Sequence, residues 1–272
     1  MLTIRLGVYF LLFGLSIVLA QDVVARCSRP VNVAFSQSGM QVAVRGNLIT
    51  GVYPEVLKRI SINEDCQFNF SVVPRARQEL MFKNGQTDLL IPAIRTKRRD
   101  ENGVFVRLVY SRPALISIHS EWPKISTMKE LLNVNSTRVV IVRGYDYGDE
   151  YVEILKELKK QERLIYEADP VSAARTLKSG AAEYALMLPC ILFGEIKNDV
   201  RVSDLLARLH YDVISEIPWM ESGVYVSRRS LSNADRNYLK ALFENTANSA
   251  LVWKYFQNYY APEVLNLGLR PH

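Results

Sequence analysis

The sequence is poor in the residue that acid–base catalysis and metal binding most often need. Its 272 residues include three histidines, His119, His210 and His272. The first two lie on segments with no partner at a useful spacing, and neither a metal-binding pattern nor a Ser-His-Asp arrangement is present. We therefore predict a protein that is not an enzyme and has no metal or other cofactor. An enzyme is the less favoured alternative, because fold does not decide function.

Long apolar runs are absent after the first 20 residues, so no later segment is predicted to cross a membrane. At the N terminus, Arg5 precedes an apolar stretch at residues 6–19, and the compact residues up to Ala20 fit the pattern that signal peptidase cleaves. An uncleaved anchor is the alternative, but the stretch is shorter than the roughly 20 residues that span a bilayer. We expect a signal peptide at residues 1–20 and a mature protein in the periplasm.

Cysteine is scarce, and its odd count leaves one thiol without an internal partner once the signal peptide is removed. Cys27 and Cys66 each stand just before a predicted strand, at residues 31–35 and 67–73. If those strands are parallel neighbours, the two sulfur atoms lie at the same end, in a compartment that permits disulfides. We predict a Cys27–Cys66 disulfide and a buried Cys190 thiol, since no His-Cys spacing indicates a metal site.

The net charge of +6 and the pI of about 9.2 raise the question of a nucleic-acid partner. The basic residues are scattered, however, and they do not alternate with aromatic residues as a base-stacking surface requires. An exported protein also seldom meets nucleic acid. We therefore predict no nucleic-acid binding and favour an acidic small molecule or an anionic surface as the partner.

The most informative stretch is residues 88–99, in which a short apolar run ends in a turn with four cationic side chains. Such a run is typical of a strand that is buried on both faces of a parallel sheet. Ligands of open α/β sheets lie outside the carboxyl ends of the strands. The turn, with Arg99 in it, is therefore placed where an anion would bind. A solvated basic loop is an equally acceptable interpretation of the cluster alone.

Apolar spacing predicts alternating strands and helices through most of the chain. Strands are predicted at residues 31–35, 66–73, 88–91, 104–109, 114–118, 138–142, 164–166, 183–188 and 223–227. Helices are predicted to start near residues 52, 75, 127, 148, 170 and 232, and the segment that begins at residue 232 is predicted to contain two helices in all. Residues 36–50 are predicted to be a loop, and residues 205–219 irregular with some strand. Segments 83–88 and 178–183 are similar, which favours two similar lobes, although chance similarity also explains it.

Several of these segments together resemble the family 3 bacterial extracellular solute-binding proteins, which are periplasmic components related to polar amino-acid uptake. The motifs that carry the resemblance, between about residues 30 and 259, are Thr50-Gly51-Val52-Tyr53-Pro54-Glu55-Val56-Leu57, Gly85-Gln86-Thr87-Asp88-Leu89-Leu90-Ile91, Thr96-Lys97-Arg98-Arg99, Val139-Val140-Ile141-Val142-Arg143-Gly144, Gly180-Ala181-Ala182-Glu183, and Gly223-Val224-Tyr225-Val226 ahead of Trp253. Each motif is weak alone, whereas their order and spacing are fairly specific.

The resemblance implies an α/β, two-lobed periplasmic-binding-protein-like fold of type II, with parallel-type sheets and two extended hinge crossings. Lobe one would comprise residues 27–113 and 221–272, and lobe two residues 114–220. We expect a monomer that encloses a small anionic organic ligand, either amino-acid-like or an organic acid, for an ABC-type uptake system with a membrane permease. A ligand-sensing protein that docks on a sensor partner is one alternative, and a dehydratase-like enzyme on the same fold is another.

The resemblance also assigns ligand-binding residues. The family's carboxylate-binding arginine, three residues after a threonine, corresponds to Arg99 after Thr96, and its anion site at the start of a second-lobe helix corresponds to Gly144, Tyr145 and Asp146. A guanidinium fork matches a carboxylate, and the free amides of a helix start add partial positive charge aimed at the same anion.

Three further residues are weaker candidates for the ligand site. Phe35 ends the first predicted strand and would offer an apolar face, although a place in the core explains it equally well. Arg77, in the turn after Pro74, and Arg95 are cationic candidates, and ordinary surface exposure explains both of them better.

One position argues against an ordinary α-amino acid as the ligand. In the family's amino-acid binders, an aspartate near the end of the corresponding strand holds the ammonium group of the ligand. This aspartate lies about five residues beyond the acidic residue that opens the strand, so counting from Glu183 places it at Leu188. Leucine cannot accept a hydrogen bond, and an enclosed ammonium without a partner costs on the order of several kcal/mol. Glu195 and Asp146 are the alternative acceptors. The resemblance thus implies an organic anion with an apolar or aromatic body against Phe35 and Tyr145.

Overall fold

A computed structural model describes residues 27–64, 66–122, 124–134 and 136–272 of the protein. The predicted signal peptide and its cleavage after Ala20 lie outside these described residues. Among the helices that the structure describes, none combines the length and the apolar character needed to cross a bilayer.

The first part of the chain alternates strands and helices, as its apolar spacing predicts. Its elements are β1 (Val31–Phe35), β2 (Ala43–Arg45), β3 (Leu48–Thr50), α1 (Val52–Glu64), β4 (Phe68–Val72), α2 (Arg75–Lys83), β5 (Leu89–Ile94), α3 (Lys97–Asp100) and β6 (Gly103–Ser111).

The middle part repeats the alternation. Its elements are β7 (Ala114–Ser117), α4 (Met128–Asn133), β8 (Val139–Val142), α5 (Asp149–Lys160), β9 (Leu164–Glu167), α6 (Pro170–Lys178), β10 (Tyr184–Met187), α7 (Pro189–Asn198), a 3-10 helix (Ser203–Arg208) and β11 (His210–Asp212). The last part contains β12 (Met220–Ser227), α8 (Asn233–Asn248), α9 (Leu251–Tyr259), α10 (Pro262–Gly268) and β13 (Leu269–Pro271).

A six-stranded sheet forms the first lobe, with the strand order β13-β6-β12-β5-β1-β4. β1 is parallel to β4 and to β5, the strands that follow α1 and α2 in the chain. β12 returns from the last part of the chain and lies antiparallel between β5 and β6. The sheet is therefore mixed, and the prediction of parallel-type sheets holds for its βαβ half only.

A five-stranded sheet forms the second lobe, with the order β11-β7-β10-β8-β9. β8 is parallel to β9 and β10, whereas β7 is antiparallel to β10 and β11. Every residue of β8 and of β10 is buried, which explains why both strands are continuous apolar runs.

The chain crosses between the two sheets twice, at residues 112–113 after β6 and at residues 213–219 before β12. A third connection comes from the C-terminal segment, because α10 lies against α7 while β13 pairs with β6. At this place a Cβ atom on Gly268 would lie 2.8 Å from the Pro189 ring, so the segment fits closely against the start of α7.

The predicted cysteine chemistry is confirmed. β1 and β4 pair in parallel with Val31 opposite Phe68, which brings the residues before each strand to the same end of the sheet. Cys27 and Cys66 are joined there in a disulfide with a Cα–Cα distance of 5.2 Å. Cys190 is a buried free thiol that accepts a hydrogen bond from Gln41 Nε2 at 3.0 Å, and burial raises its pKa to about 12.

Three predictions about elements were incomplete. Residues 36–50 contain the β2-β3 hairpin, in which Arg45 pairs with Leu48 across a two-residue turn whose Gly46 has a φ of +57°. Helix α7 was not predicted, because its apolar first turn continues directly from the buried strand β10; Pro189 occupies the start of this helix. The C-terminal part contains a third helix, α10, and the strand β13.

Candidate functional site

A cleft with a cavity volume of ≈ 40 Å³ lies between the two lobes. Its first-lobe wall consists of the loop after β1, the first residue of α2, the end of β5 and one residue of β12: Ser36, Ser38, Gln41, Arg75, Pro92, Ala93, Ile94 and Ser222. Its second-lobe wall follows β8 and β10 and includes Tyr145, Asp146, Tyr147, Leu188 and Ile191. The cleft thus lies outside the carboxyl ends of parallel strands, where open α/β sheets bind ligands.

The lobes are closed on each other around this cleft. A Cβ atom on Gly39 would lie 2.7 Å from the backbone oxygen of Ile191, and one on Gly194 would lie 2.7 Å from the backbone nitrogen of Met40. These contacts join the loop after β1 to α7 of the opposite lobe. Any ligand larger than a few water molecules therefore requires the lobes to move apart.

Arg75 is the cationic side chain in the cleft wall. Its Nη1 donates hydrogen bonds to Gln78 Oε1 at 3.0 Å and to the Pro92 carbonyl at 2.9 Å, and its Nη2 donates to Glu79 Oε1 at 2.6 Å. Its Nε is buried and has no hydrogen-bond partner among the described residues. Three of its five N–H groups are thus used, and a ligand in the cleft can accept from the other two.

Arg99, the predicted carboxylate ligand, is occupied by the protein itself. Its Nε and Nη2 donate to the two oxygens of Glu79 at 3.1 and 2.6 Å, and its Nη1 donates to the Ile94 carbonyl at 2.7 Å. The side chain is 3% exposed and does not belong to the cleft wall. Its fork therefore already holds a carboxylate, so a direct bidentate contact between Arg99 and a ligand does not fit this structure.

The charges of these groups stabilise one another. Burial acts to raise the pKa of Glu79, but the neighbouring charges of Arg99 and Arg75 outweigh it and leave the pKa below its usual value. Burial likewise acts to lower the pKa of Arg99, and the Glu79 carboxylate outweighs it. The cluster consequently contains two cations and one anion in their charged forms.

Thr96 and Arg95 have structural contacts instead of contacts in the cleft. The Thr96 side chain caps the short helix α3 by accepting from the Arg99 backbone N–H at 3.3 Å, and its own N–H donates to Tyr225 Oη at 3.0 Å. Arg95 is exposed and forms ion pairs with Asp100 at 3.3 Å and Glu221 at 3.1 Å. Neither residue lines the cleft.

Phe35 and Arg77 also lie away from the cleft. Phe35 is fully buried in the core, where its ring packs edge-on against Phe70 with 5.2 Å between centroids. Arg77 is exposed on α2. These positions agree with the alternatives predicted from the sequence, in which Phe35 is a core residue and Arg77 is a surface residue.

The second-lobe segment 144–146 does contribute to the cleft, but not as a helix start. α5 begins at Asp149 after the N-cap residue Gly148, and its first turn contains Asp149 and Glu150, which disfavour an anion at that end. Tyr145 and Asp146 line the cleft, while Gly144 contacts the opposite lobe. The segment therefore contributes side chains and an interlobe contact.

Asp146 connects the lobes by charge. Its carboxylate forms an ion pair with Arg98, a residue of the first lobe, and accepts a hydrogen bond from the Gly148 N–H at 3.1 Å. Its backbone oxygen accepts from Arg99 Nη1 at 3.4 Å. Arg98 is 70% exposed along its side chain and nevertheless has this partner.

Two hydroxyl groups in the cleft have no partner among the residues that the structure describes. They are Ser38 Oγ and Tyr145 Oη, and both atoms are buried. Burial raises the pKa of Tyr145 well above its usual value, so the group is a neutral phenol that can donate a hydrogen bond. Arg75 Nε is a third buried donor without a partner among the described residues, and all three atoms belong to residues of the cleft wall.

Leu188 lines the cleft directly after β10. The family resemblance predicts this place for the residue that would hold an ammonium group. Glu195, proposed as an alternative acceptor, lies outside the cleft wall and accepts hydrogen bonds from Gln37 Nε2 and the Gly39 N–H, both at 2.6 Å. Burial raises the pKa of Glu195. Asp146 is the carboxylate that remains in the cleft wall.

Sequence reasoning missed the cleft residues Arg75 and Ser38, and it missed Glu79, which holds Arg75 and Arg99. The buried positions of α2 are Arg75, Gln78 and Phe82, which recur at helical spacing, and Gln78 Nε2 donates to the Ala34 carbonyl at 2.7 Å. That spacing distinguishes Arg75 from Arg77 and was available in the sequence. Glu79 lies four residues after Arg75 on the same helix, which is a local signal for their ion pair, whereas its contact with Arg99, twenty residues away along the chain, gives no such signal.

Comparisons with known proteins agree with the fold. No protein-family model and no curated protein sequence matches the chain. Among solved structures, it is similar to the amino acid ABC transporter substrate-binding protein AbpA of Streptococcus pneumoniae bound to L-arginine, with 16% identity and a TM-score of 0.68 over 85% of this chain and 94% of that chain. The solute receptor for L-cysteine of Neisseria gonorrhoeae is 13% identical, with a TM-score of 0.68 over 89% and 96% of the two chains.

A third neighbour is a histidine kinase sensor domain with similarity to periplasmic binding proteins. It is 16% identical and has a TM-score of 0.67 over 86% of this chain and 96% of that chain. The chain thus has the two-lobed α/β fold of periplasmic binding proteins, as predicted, and the solved structures similar to it include solute-binding proteins and a sensor domain of that fold.

Proposed function

We propose that the protein is an exported solute-binding protein that captures a small organic anion between its two lobes. The observation that carries this proposal is that three residues in the wall of one interlobe cleft each have a buried polar atom without a partner among the described residues: Arg75 Nε, Ser38 Oγ and Tyr145 Oη. A buried polar atom without a partner is costly, and an anionic group that enters the cleft can accept hydrogen bonds from donors of this kind. Arg75 replaces Arg99 as the proposed cationic contact.

The remaining walls suit an apolar body better than an ammonium group. Ile94, Leu188 and Ile191 contribute aliphatic surface. The carboxylate of Asp146 is already paired with Arg98 and with the Gly148 N–H, so it is a poor additional acceptor. The proposed ligand is therefore an organic acid with an apolar or aromatic part, and not an ordinary α-amino acid.

Ligand entry requires motion of the lobes. A cavity of ≈ 40 Å³ is far below the roughly 300 Å³ or more of pockets that hold drug-sized molecules. The crossings at residues 112–113 and 213–219 are the places where a small backbone change would separate the lobes. A ligand that touches both walls then favours the closed form by its additional contacts.

The proposed partner is a membrane protein that recognises the closed form. Two of the structural neighbours are a transporter's substrate-binding protein and a solute receptor, which supports uptake through an ABC-type permease. The neighbour that is a histidine kinase sensor domain supports a second candidate, delivery of the ligand signal to a sensor. Both roles use the same cleft and differ in the protein that detects closure.

A ligand screen by thermal shift tests the proposal, because binding to the folded state alone raises the unfolding midpoint. The panel contains aromatic and aliphatic organic acids together with the common amino acids. We expect some organic acids to raise the midpoint and the amino acids to leave it unchanged. If no organic acid has an effect, the proposal is wrong.

Arg75→Gln supplies the site-specific part of the test, with Arg77→Gln as the matched control. Both changes remove one arginine charge from α2, but Arg75 lines the cleft and Arg77 is exposed. Loss of an enclosed charge-assisted contact should weaken calorimetric affinity by about 2 to 3 kcal/mol for Arg75→Gln. Equal losses in the two variants would contradict the assignment of the cleft.

A further inference from the structure

Two arginine side chains of the first lobe share one carboxylate. Glu79 Oε1 accepts from Nη2 of both Arg75 and Arg99, at 2.6 Å in each case, and Glu79 Oε2 accepts from Arg99 Nε at 3.1 Å. The Arg99–Glu79 contact is the bidentate arrangement in which a guanidinium binds a carboxylate most specifically. The protein has thus placed its own carboxylate in the position that a ligand's carboxylate would take on Arg99.

The arrangement leaves a definite charge at the cleft. Arg75 and Arg99 contribute two positive charges and Glu79 one negative charge, so the three together carry a net charge of +1. The two arginines differ in how many N–H groups are already used: Arg99 has four of its five N–H groups in hydrogen bonds, whereas Arg75 has three. The uncompensated charge is therefore presented to the cleft by Arg75.

We propose that Glu79 sets the charge of the ligand: it occupies the fork of Arg99 and leaves one net positive charge, presented by Arg75, so that the cleft accepts monoanions and excludes dianions. This inference rests on the function proposed above and specifies its ligand class. A second anionic group would lose its hydration without gaining a cation, because the only other carboxylate and guanidinium described beside the cleft, Asp146 and Arg98, already neutralise each other.

Glu79 is held firmly enough to have this effect. Gln78, the preceding residue, donates to the Ala34 carbonyl at 2.7 Å and to the Ile91 carbonyl at 3.2 Å, which fixes α2 to β1 and β5. Arg75 is fixed in addition by the Pro92 carbonyl at 2.9 Å. A ligand carboxylate would therefore have to displace an internal carboxylate that two arginines already hold.

Paired probes that differ by one charge test the inference. Benzoate and phthalate are titrated by calorimetry into the wild-type protein, Glu79→Gln and the control Glu153→Gln. Glu153 is an exposed residue of α5, 59% accessible, and is paired with Lys156 at 3.5 Å, so the control changes net charge equally. We expect the wild type to prefer benzoate, and Glu79→Gln to shift the phthalate-to-benzoate affinity ratio about tenfold towards phthalate. The control should leave the ratio unchanged.

A double variant covers the case in which Glu79→Gln does not fold. Glu79→Gln combined with Arg99→Gln removes one charge of each sign, restores the net charge of +1 and should keep the wild-type preference for benzoate. Loss of that preference in the folded double variant overturns the inference. An unchanged phthalate-to-benzoate affinity ratio in folded Glu79→Gln also overturns the inference, and so does a wild-type protein that prefers phthalate. In these cases the proposed binding function still stands. A wild-type protein that binds neither probe nor any acid of the thermal-shift panel overturns both proposals.

Discussion

Gly144 of the second lobe lies directly against Ala76 of the first. A Cβ atom on Gly144 would be 2.8 Å from both the Cα atom and the backbone nitrogen of Ala76, closer than real Cβ atoms approach backbone. Gly144 also has a φ of +91°, a conformation that residues with side chains rarely adopt. The missing side chain at this position is thus what allows the lobes to meet beside the cleft.

Gly144→Ala should therefore prevent full closure. We expect small-angle X-ray scattering at saturating ligand to give a larger radius of gyration than for the wild type, and affinity to fall roughly tenfold as contacts across the cleft are lost. Gly180→Ala is the control, because Gly180 has a φ of +70° with nothing within 4 Å of the added Cβ. It introduces backbone strain of about 1 kcal/mol without an interlobe clash. Identical scattering profiles for the two variants would contradict the role of Gly144.

The Cys27–Cys66 disulfide should contribute substantially to stability. It closes a sequence separation of 39 residues, for which chain-entropy arguments give about 4 kcal/mol. We expect the double variant Cys27→Ala/Cys66→Ala to lose an amount of this order in denaturant unfolding and to become insensitive to reductant. Peptide mapping without reduction should recover the two cysteines linked. Recovery of Cys190 in a disulfide would refute the pairing.

Stability should fall with decreasing pH partly because of Asp88. Burial acts to raise the pKa of this carboxyl, but the hydrogen bonds from Arg29 at 2.7 and 2.8 Å and from the Asn32 N–H at 2.8 Å outweigh it and lower the pKa. A lowered folded-state pKa means that the stabilisation is complete above the unfolded value of about 4 and is lost as pH falls below it.

Asp88→Asn isolates this contribution. At pH 7 the variant should be about 2 kcal/mol less stable than the wild type, because the Arg29 guanidinium loses its charged acceptor. Towards pH 3 the difference should shrink, since the Asp88 carboxyl of the unfolded wild-type chain becomes protonated before that of the folded protein. Urea unfolding at the two pH values measures both numbers, and a difference that does not depend on pH would show that the carboxylate charge is irrelevant.

Leu188→Asp should change the class of ligand. A carboxylate at this place in the cleft wall supplies the ammonium acceptor that the wild type lacks. We expect calorimetry to detect binding of at least one common α-amino acid at least about tenfold tighter than in the wild type. Leu188→Asn, of the same shape without the charge, is the control. Micromolar binding of a simple α-amino acid by the wild type would refute the argument from Leu188.

Much of the fold could be predicted because it depends on local patterns. The range of β1 and the start of α2 agree with the prediction, since both depend on patterns that extend over a few residues. Helix α7 was missed because its apolar first turn extends the run of β10 and hides the boundary. The antiparallel place of β12 depends on pairing with strands more than a hundred residues earlier, which no local pattern contains.

The site was less predictable than the fold for a related reason. Tyr145 and Asp146 were found because the resemblance locates the segment after β8 at the cleft. Arg99 was placed correctly near the carboxyl end of β5, yet its availability depends on Glu79, whose contact with it is tertiary. Residue type and position can suggest a cation, but only the surrounding contacts determine whether its hydrogen bonds are already used.

The place of β12 in the first sheet also predicts an order of folding. β12 begins at Met220, after the last strand of the second sheet has been synthesised, and it lies between β5 and β6. During synthesis from the N terminus, the strands of the second sheet, from Ala114 to Asp212, are all made before β12, the strand that lies between β5 and β6. The second lobe is thus inserted in the sequence of the first, and we expect it to fold before the first sheet is complete. A chain truncated before Met220 should then retain a protease-resistant second lobe only.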